Sequence, residues 1–204
     1  MVEHHAPKTT KTPELDVVLD ICHRATSGDA DARRRLMELL FDRIHKTASY
    51  LAEDLEDARD IAQTACVEVL LSAGSFRGEA SLSYWADRVT LQTAAKIFTK
   101  KTRRQRIRAA YFCPPPTARG VDENASRVEV RHRLTALLKT LKVSHREVVL
   151  LRYIHGYTIK EAAELCGIPL ETARGRLKKG RAKLRKKVMA DALLRNWVEE
   201  WIKR

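Results

Sequence analysis

Apolar residues recur along this chain at intervals of three and four and never in sustained alternation, so the pattern predicts helices and no strands. Leu15, Val18, Leu19 and Cys22 begin it, and Ser27-Gly28-Asp29 breaks it and offers a cap for the next helix. Leu36, Leu40, Ile44, Thr47, Ala48 and Leu51 then mark the inner stripe of a long second helix. The acidic stretch from Glu53 to Asp57 leads into a third, whose buried face would carry Ala58, Ile61, Ala62, Ala65, Cys66 and Val69 before Gly74 ends it. After a short loop from Ser75 to Ser81, containing Gly78, a fourth helix starts with Leu82, Trp85, Ala86 and Val89 and runs through Gln92 and Lys96 towards Arg104.

The rhythm stops at Cys113-Pro114-Pro115-Pro116-Thr117, where three prolines remove backbone donors and favour an extended path. We therefore expect an all-α chain of two small helical domains, residues 14–110 and 127–195, joined by a linker over 111–126. In the second block Leu134, Leu137, Leu138 and Leu141 form one stripe. Ser144-His145-Arg146-Glu147 has the spacing of a capping box ahead of Val148 to Ile154, with Gly156 able to close that helix. Thr158-Ile159-Lys160-Glu161 repeats the spacing, and Gly167 can end the short helix that follows in a left-handed conformation. Pro169 suits the first turn of a last helix, along which Ala173, Leu177, Gly180, Leu184 and Val188 share a side. Two helices joined by a short Gly-containing turn make a helix-turn-helix.

Composition adds a partner. The 204 residues are 44% apolar, enough for real cores, but 39 Lys and Arg face 26 Asp and Glu, a formal charge of +13 that favours a polyanion. No apolar run approaches the ~18 residues of a membrane span, and the polar start, Met1 to Pro13, lacks the apolar segment of a secretory signal; we expect no membrane insertion and a cytoplasmic location. Cys22, Cys66, Cys113 and Cys166 lie far apart, which argues for reduced structural thiols, and the single Cys22-His23 pair supplies too few ligands for zinc, so no metal or cofactor is expected. Catalytic signatures such as Gly-x-Ser-x-Gly, a phosphate-cradling Gly loop or His-Glu-x-x-His are absent, and the chain does not read as an enzyme.

The charge is concentrated. From Arg174 to Lys187 the last helix carries nine basic residues in fourteen and no acid, and Arg174, Lys178, Arg181 and Arg185 align opposite the apolar stripe. On the second helix of a helix-turn-helix such residues reach the DNA major groove, although a run of charge can also be a solvated face. A second basic cluster, Lys100, Lys101, Arg103, Arg104, Arg106 and Arg108, follows Tyr84, Trp85 and Phe98; charge beside aromatics suits single-stranded or melted nucleic acid, while Trp85 at helical spacing from Leu82 and Val89 equally suits a core. Asp57, Asp60, Gln63, Thr64 and Glu68, with Val67 among them, form an acidic and amide face that is either solvated surface or a protein-docking face.

In these segments the chain resembles bacterial RNA polymerase sigma factors of the small, two-domain extracytoplasmic-function group. Glu56-Asp57-Ala58-Arg59-Asp60-Ile61-Ala62-Gln63 is similar to the family's helix that docks on the β′ clamp helices, and Ser75-Phe76-Arg77-Gly78-Glu79-Ala80-Ser81-Leu82-Ser83-Tyr84-Trp85 to the loop and helix that capture the melted minus-ten element. His145 to Tyr153, Gly156-Tyr157-Thr158 and Gly167 to Leu177 resemble the minus-thirty-five reader. The resemblance implies core RNA polymerase, through its β′ clamp helices and β subunit, and promoter DNA as partners. It places Asp57, Asp60, Gln63 and Thr64 against polymerase; Trp85, Gln92, Lys96, Lys100, Lys101 and Arg103 at the minus-ten element; and Thr172, Arg174, Gly175, Arg176, Lys178, Lys179 and Arg181 at the minus-thirty-five element, with Arg176 and Arg181 on phosphates. An anti-sigma factor is a further partner it implies. Thr64 and Cys66 stand where the family has Glu and Phe, Val89-Thr90-Leu91-Gln92 where it has Ile-Ala-Arg-Asn, and Lys96 where it has an acid. Without the resemblance, a helix-turn-helix regulator that binds duplex DNA independently of polymerase remains the alternative. An apolar stripe in the tail, Leu193, Leu194, Trp197 and Trp201, would pack on the second block or meet a partner.

Overall fold

A computed structural model of the chain describes residues 13–108, 133, 135–191 and 194–195; the side chains of 13, 14 and 102–108 lie outside the description. Helix α1 spans Pro13–Thr26, α2 Ala30–Leu51, α3 Leu55–Ser72 and α4 Leu82–Arg108 in the N-terminal block. A helical segment at 135–139 precedes α5 (Val143–Tyr153), α6 (Ile159–Cys166) and α7 (Leu170–Ala190) in the C-terminal block. The described residues contain no strand.

The helix starts follow from short polar side chains. Asp29 caps α2, its carboxylate accepting from the amides of Asp31 and Ala32 at 2.9 and 3.0 Å, and Asp54 caps α3 by accepting from the amide of Asp57 at 2.7 Å. The expected box at Thr158 forms: its hydroxyl accepts from the Glu161 amide while the Glu161 carboxylate accepts from the Thr158 amide at 2.7 Å. Gly167 closes α6 at φ +63°. The box expected at Ser144 does not form. Helix α5 starts two residues earlier, behind Lys142, with no side-chain cap, and this places Ser144 and Glu147 inside the helix. The Arg146 guanidinium draws that turn together instead, donating to the carbonyls of Leu138, Lys139 and Leu141 at 2.8 to 3.1 Å. Gly74 lies in a single 3-10 turn, Ala73–Ser75, after α3, and Pro169 stands just outside α7 rather than within its first turn.

The four consecutive residues of α5 from Val148 to Leu151 are all buried, and they face three different neighbourhoods. Val148 packs with Ala163 and Ala173 inside the helix-turn-helix, and Val149 packs with Leu138 and Leu141. Leu150 and Leu151, together with Tyr157, Ala162 and Leu165, join the buried cluster of the N-terminal block that contains Leu36, Ile44, Leu51, Ile61 and Ala86. The apolar interior is thus continuous: α5 packs on α2 and α6 on α4. Gly180 makes the close approach of α7 to α5 possible, because a Cβ there would lie 2.8 Å from Val149 Cγ2. Leu194 is fully buried, which keeps that part of the tail on the body of the protein; Leu193, Trp197, Trp201 and the proline segment lie outside the described residues. Among the described residues no helix is long and apolar enough to cross a membrane.

Candidate nucleic-acid interface

Three surfaces carry the residues expected to act. On α7 the basic side chains divide between two directions. Arg174, Lys178 and Arg181 line an open groove of about 510 Å³ with Leu177, Arg152, Thr158 and Ile159, so cations from α7 and α5 converge on one depression beside the Thr158 hydroxyl of the turn before α6. Arg174 also pairs with Glu171 one turn away. Arg176, Lys179 and Lys183 turn instead towards α5 and the chain before it. Burial first, then the charges of Lys142, Lys179, Arg176 and Lys183, holds His145 below the ordinary imidazole range. Burial raises the Glu147 carboxyl, and Arg176 opposes that rise. Lys183 donates to the Thr140 carbonyl at 2.6 Å. Thr172 is exposed at the start of α7, and Gly175 faces open space with no atom within 4 Å of where a Cβ would sit. Arg152 and Thr158 lie in the segments that resemble the minus-thirty-five reader, and the sequence marks Thr158 as a cap, but neither is named among the DNA-contacting residues, because both precede α7.

The second surface is a cleft of about 380 Å³ between the end of α3 and the middle of α4, lined by Glu68, Ser72, Ser75, Trp85, Arg88, Val89, Gln92, Thr93 and Lys96. It contains three of the residues assigned to melted DNA, Trp85, Gln92 and Lys96, and adds Arg88. Trp85 is half-buried, packing on Phe76 at 5.7 Å between ring centroids while its remaining surface lines the cleft. Gly78 fixes the preceding loop: φ is +71°, and a Cβ would meet Leu15 Cδ1 at 2.9 Å. Lys100 borders an adjacent depression with Ala95, Lys96 and Thr99. Lys101 points elsewhere, its ammonium donating to Asp57 at 2.6 Å and to Asp54 at 3.3 Å. The side chain of Arg103 lies outside the described residues.

The third surface is the outer side of α3. Asp60, Gln63 and Thr64 are exposed on it, followed by Val67 at 50% and Leu71 at 72% exposure, so the polar face continues into an apolar one. Asp57 does not join it: the carboxylate is buried against Lys101. Leu71 was missed in the sequence, where an apolar residue at the end of an amphipathic helix reads as core.

Residues 36–104 match the family model described as Sigma-70 region 2, and residues 131–184 match that of Sigma-70, region 4. The chain is 27% identical over 158 residues to ECF RNA polymerase sigma factor SigM of Mycobacterium tuberculosis, covering 78% of each, and 26% identical over 170 residues to SigW of Bacillus subtilis, covering 79% of this chain and 91% of the relative. Among solved structures it is similar in fold to the sigma factor RpoE of Bartonella quintana in complex with the anti-sigma factor NepR, with TM-score 0.64 and 18% identity over 78% of this chain and 97% of that one. It is also similar to CnrH in complex with the cytosolic domain of CnrY, with TM-score 0.58 and 22% identity over 87% of this chain and 100% of that one. Region 2 supplies the cleft and the outer face of α3, region 4 supplies the groove on α7, and the two matches together span more than half of the sequence: this chain belongs to the sigma-70 family and is an RNA polymerase sigma factor of the extracytoplasmic-function group.

Proposed function

We propose that this sigma factor engages core RNA polymerase through the outer face of α3, holds the melted minus-ten strand in the cleft on α4, and reads duplex DNA at the minus-thirty-five element through the groove on α7. One observation carries the assignment. The cleft combines an aromatic ring, amide and hydroxyl groups and the cations Arg88 and Lys96, the set that stacks and hydrogen-bonds an unpaired base beside its phosphate. The groove on α7 has three cations of one helix in line and no aromatic ring, the set that follows a duplex backbone and reaches base edges.

Within this reading Asp60, Gln63 and Thr64 touch polymerase, Val67 and Leu71 extend that contact, and Asp57 with Lys101 is a positioning pair that holds the first turn of α3 against α4. Arg174, Lys178 and Arg181 face DNA; Arg176 and Lys179 lie on the side of α7 turned towards α5, at the flank of the groove. Residues 14–110 and 127–195 act as the two promoter-binding units, and the factor lends specificity and strand opening to polymerase without a catalytic centre of its own. An anti-sigma factor that covers these surfaces is the expected inhibitor. Run-off transcription with purified core enzyme and a cognate promoter tests the assignment: the chain should direct a specific start. Failure to bind core enzyme at micromolar concentration would overturn it.

A further inference from the structure

Glu68 lines the cleft on α4 and has no part in the assignment above. It comes from α3, one turn before Ser72, and stands across the recess from Trp85, Arg88, Gln92 and Lys96, which α4 presents at intervals of three and four. The side chain is half-buried. Its carboxylate makes no hydrogen bond or ion pair with any described residue, although Arg88 and Lys96 line the same recess. The hydroxyls on its side are already engaged as donors: Ser72 donates to the Glu68 carbonyl, and Ser75 donates to the Ser72 carbonyl at 2.7 Å. Thr93 of α4 is only 2% exposed, yet its hydroxyl has no hydrogen-bond partner among the described residues and opens onto the cleft. The recess thus holds one anionic acceptor on α3 and uncommitted donors, Gln92, Thr93 and Lys96, on α4.

A carboxylate works against a site that only grips a DNA backbone, because it repels phosphate at contact distance. What meets Glu68 must be a donor, and in a DNA strand only the base edges donate. An unpaired base offers its Watson–Crick edge. Thymine shows a single N3–H between two carbonyl oxygens. Adenine and cytosine each set an amine beside a ring nitrogen that carries a lone pair, so one oxygen of an aligned carboxylate meets an acceptor. Guanine alone places two donors side by side, N1–H and the N2 amine, which a carboxylate can accept together. Its O6, next along the edge, needs a donor, and α4 supplies donors.

We propose that Glu68 is a specificity-determining residue of the cleft: its carboxylate reads an unpaired guanine of the melted minus-ten strand, accepting from N1–H and the N2 amine, while the α4 donors serve O6 and Trp85 stacks on the ring. The proposal rests on the assignment of the cleft to that strand.

The test uses the full chain and its Glu68→Gln and Glu68→Ala variants, with circular dichroism to confirm folding. Run-off transcription with core enzyme from promoters randomised across the minus-ten element should reveal one position where the wild type favours guanine roughly five- to hundredfold over the other bases. Glu68→Gln is isosteric but offers one acceptor and one donor, the complement of adenine, and should move the preference at that position from guanine to adenine. Glu68→Ala should erase the preference without creating a new one, and supplies the same readout if Glu68→Gln does not fold. Binding of the full chain to single-stranded oligonucleotides reads the contact without polymerase: inosine, which lacks the N2 amine, should bind the wild type several-fold more weakly than guanine and the Glu68→Gln variant equally well. A guanine preference that survives both substitutions, a uniform loss of transcription across the library, or no guanine preference of the wild type in either assay would overturn the proposal. A guanine preference on single strands without any binding to core enzyme would leave Glu68 in its role and overturn the functional assignment instead.

Discussion

The cleft on α4 and the groove on α7 both offer positive charge to DNA, yet they are built on opposite plans. The cleft is a recess between two helices with small buried hydroxyls, Thr90 and Thr93, on the inner side of α4 and a half-buried tryptophan at its rim. The groove is an open depression along one helix whose only fully buried side is a glycine and an alanine, Gly180 and Ala173, pressed on α5. Unpaired bases need a recess to enter, whereas a duplex presents edges and phosphates that a protruding helix meets from outside. The same excess of Lys and Arg thus does two jobs because the packing beneath it differs.

The largest break in this comparison comes from Trp85→Ala. It removes a stacking ring from the cleft and leaves α7 untouched, and stacking contributes about 1–3 kcal/mol per base. Promoter opening, followed by permanganate reactivity of unpaired thymines, should fall roughly ten- to hundredfold, while binding of the C-terminal block's duplex element is retained. The two glycines of α7 sharpen the other side. Gly180→Ala forces a Cβ to within 2.8 Å of Val149 and should cost about 1–3 kcal/mol in urea unfolding. Gly175→Ala meets open space and should stabilise α7 by up to about 1 kcal/mol, so the two melts should move in opposite directions.

Acid should weaken the joint between the two blocks. Burial pushes His155 from the ordinary 6.5 down to about 4; Asp87 on α4 opposes that, and Arg43 and Lys46 on α2 add to it. The stability this buried neutral imidazole contributes is fully present above pH 6.5 and is lost as pH falls towards 4, a shift of roughly tenfold in the unfolding equilibrium between pH 7 and 5.5 that urea melts can follow. The smallest effect is electrostatic. Arg174→Ala, Lys178→Ala or Arg181→Ala should each reduce the salt dependence of duplex binding by about one counterion, whereas Arg176→Ala, turned towards Glu147, should not.

Much of this arrangement was legible in the sequence because it is local. The stripe of α3, the cap at Asp29, the reciprocal box at Thr158 and the left-handed Gly167 each depend on residues within one or two turns. The alignment of Arg174, Lys178 and Arg181 follows from helical geometry alone and is found in the groove. What could not be read depends on distant partners. Lys101 looks like one more member of a basic run until Asp57, 44 positions earlier, claims it. The Ser144 spacing matches a capping box, but the turn is set by Arg146 and the carbonyls before it, a side-chain choice that spacing does not encode. Asp87 reads as an ordinary polar position on α4; its burial is explained by Arg43, Thr47 and Tyr157, 44, 40 and 70 residues away.

Arg146 has a consequence of its own. Buried arginines ordinarily demand a carboxylate, but this one is satisfied by backbone oxygens, where the partial negative charge of helix ends collects. Three of those oxygens, on Leu138, Lys139 and Leu141, belong to its own block, and the other two, on Leu51 and Ala52, share a single nitrogen at the end of α2. A shift of α2 would therefore leave the guanidinium with three partners rather than none, and the joint can yield there without stranding a buried charge.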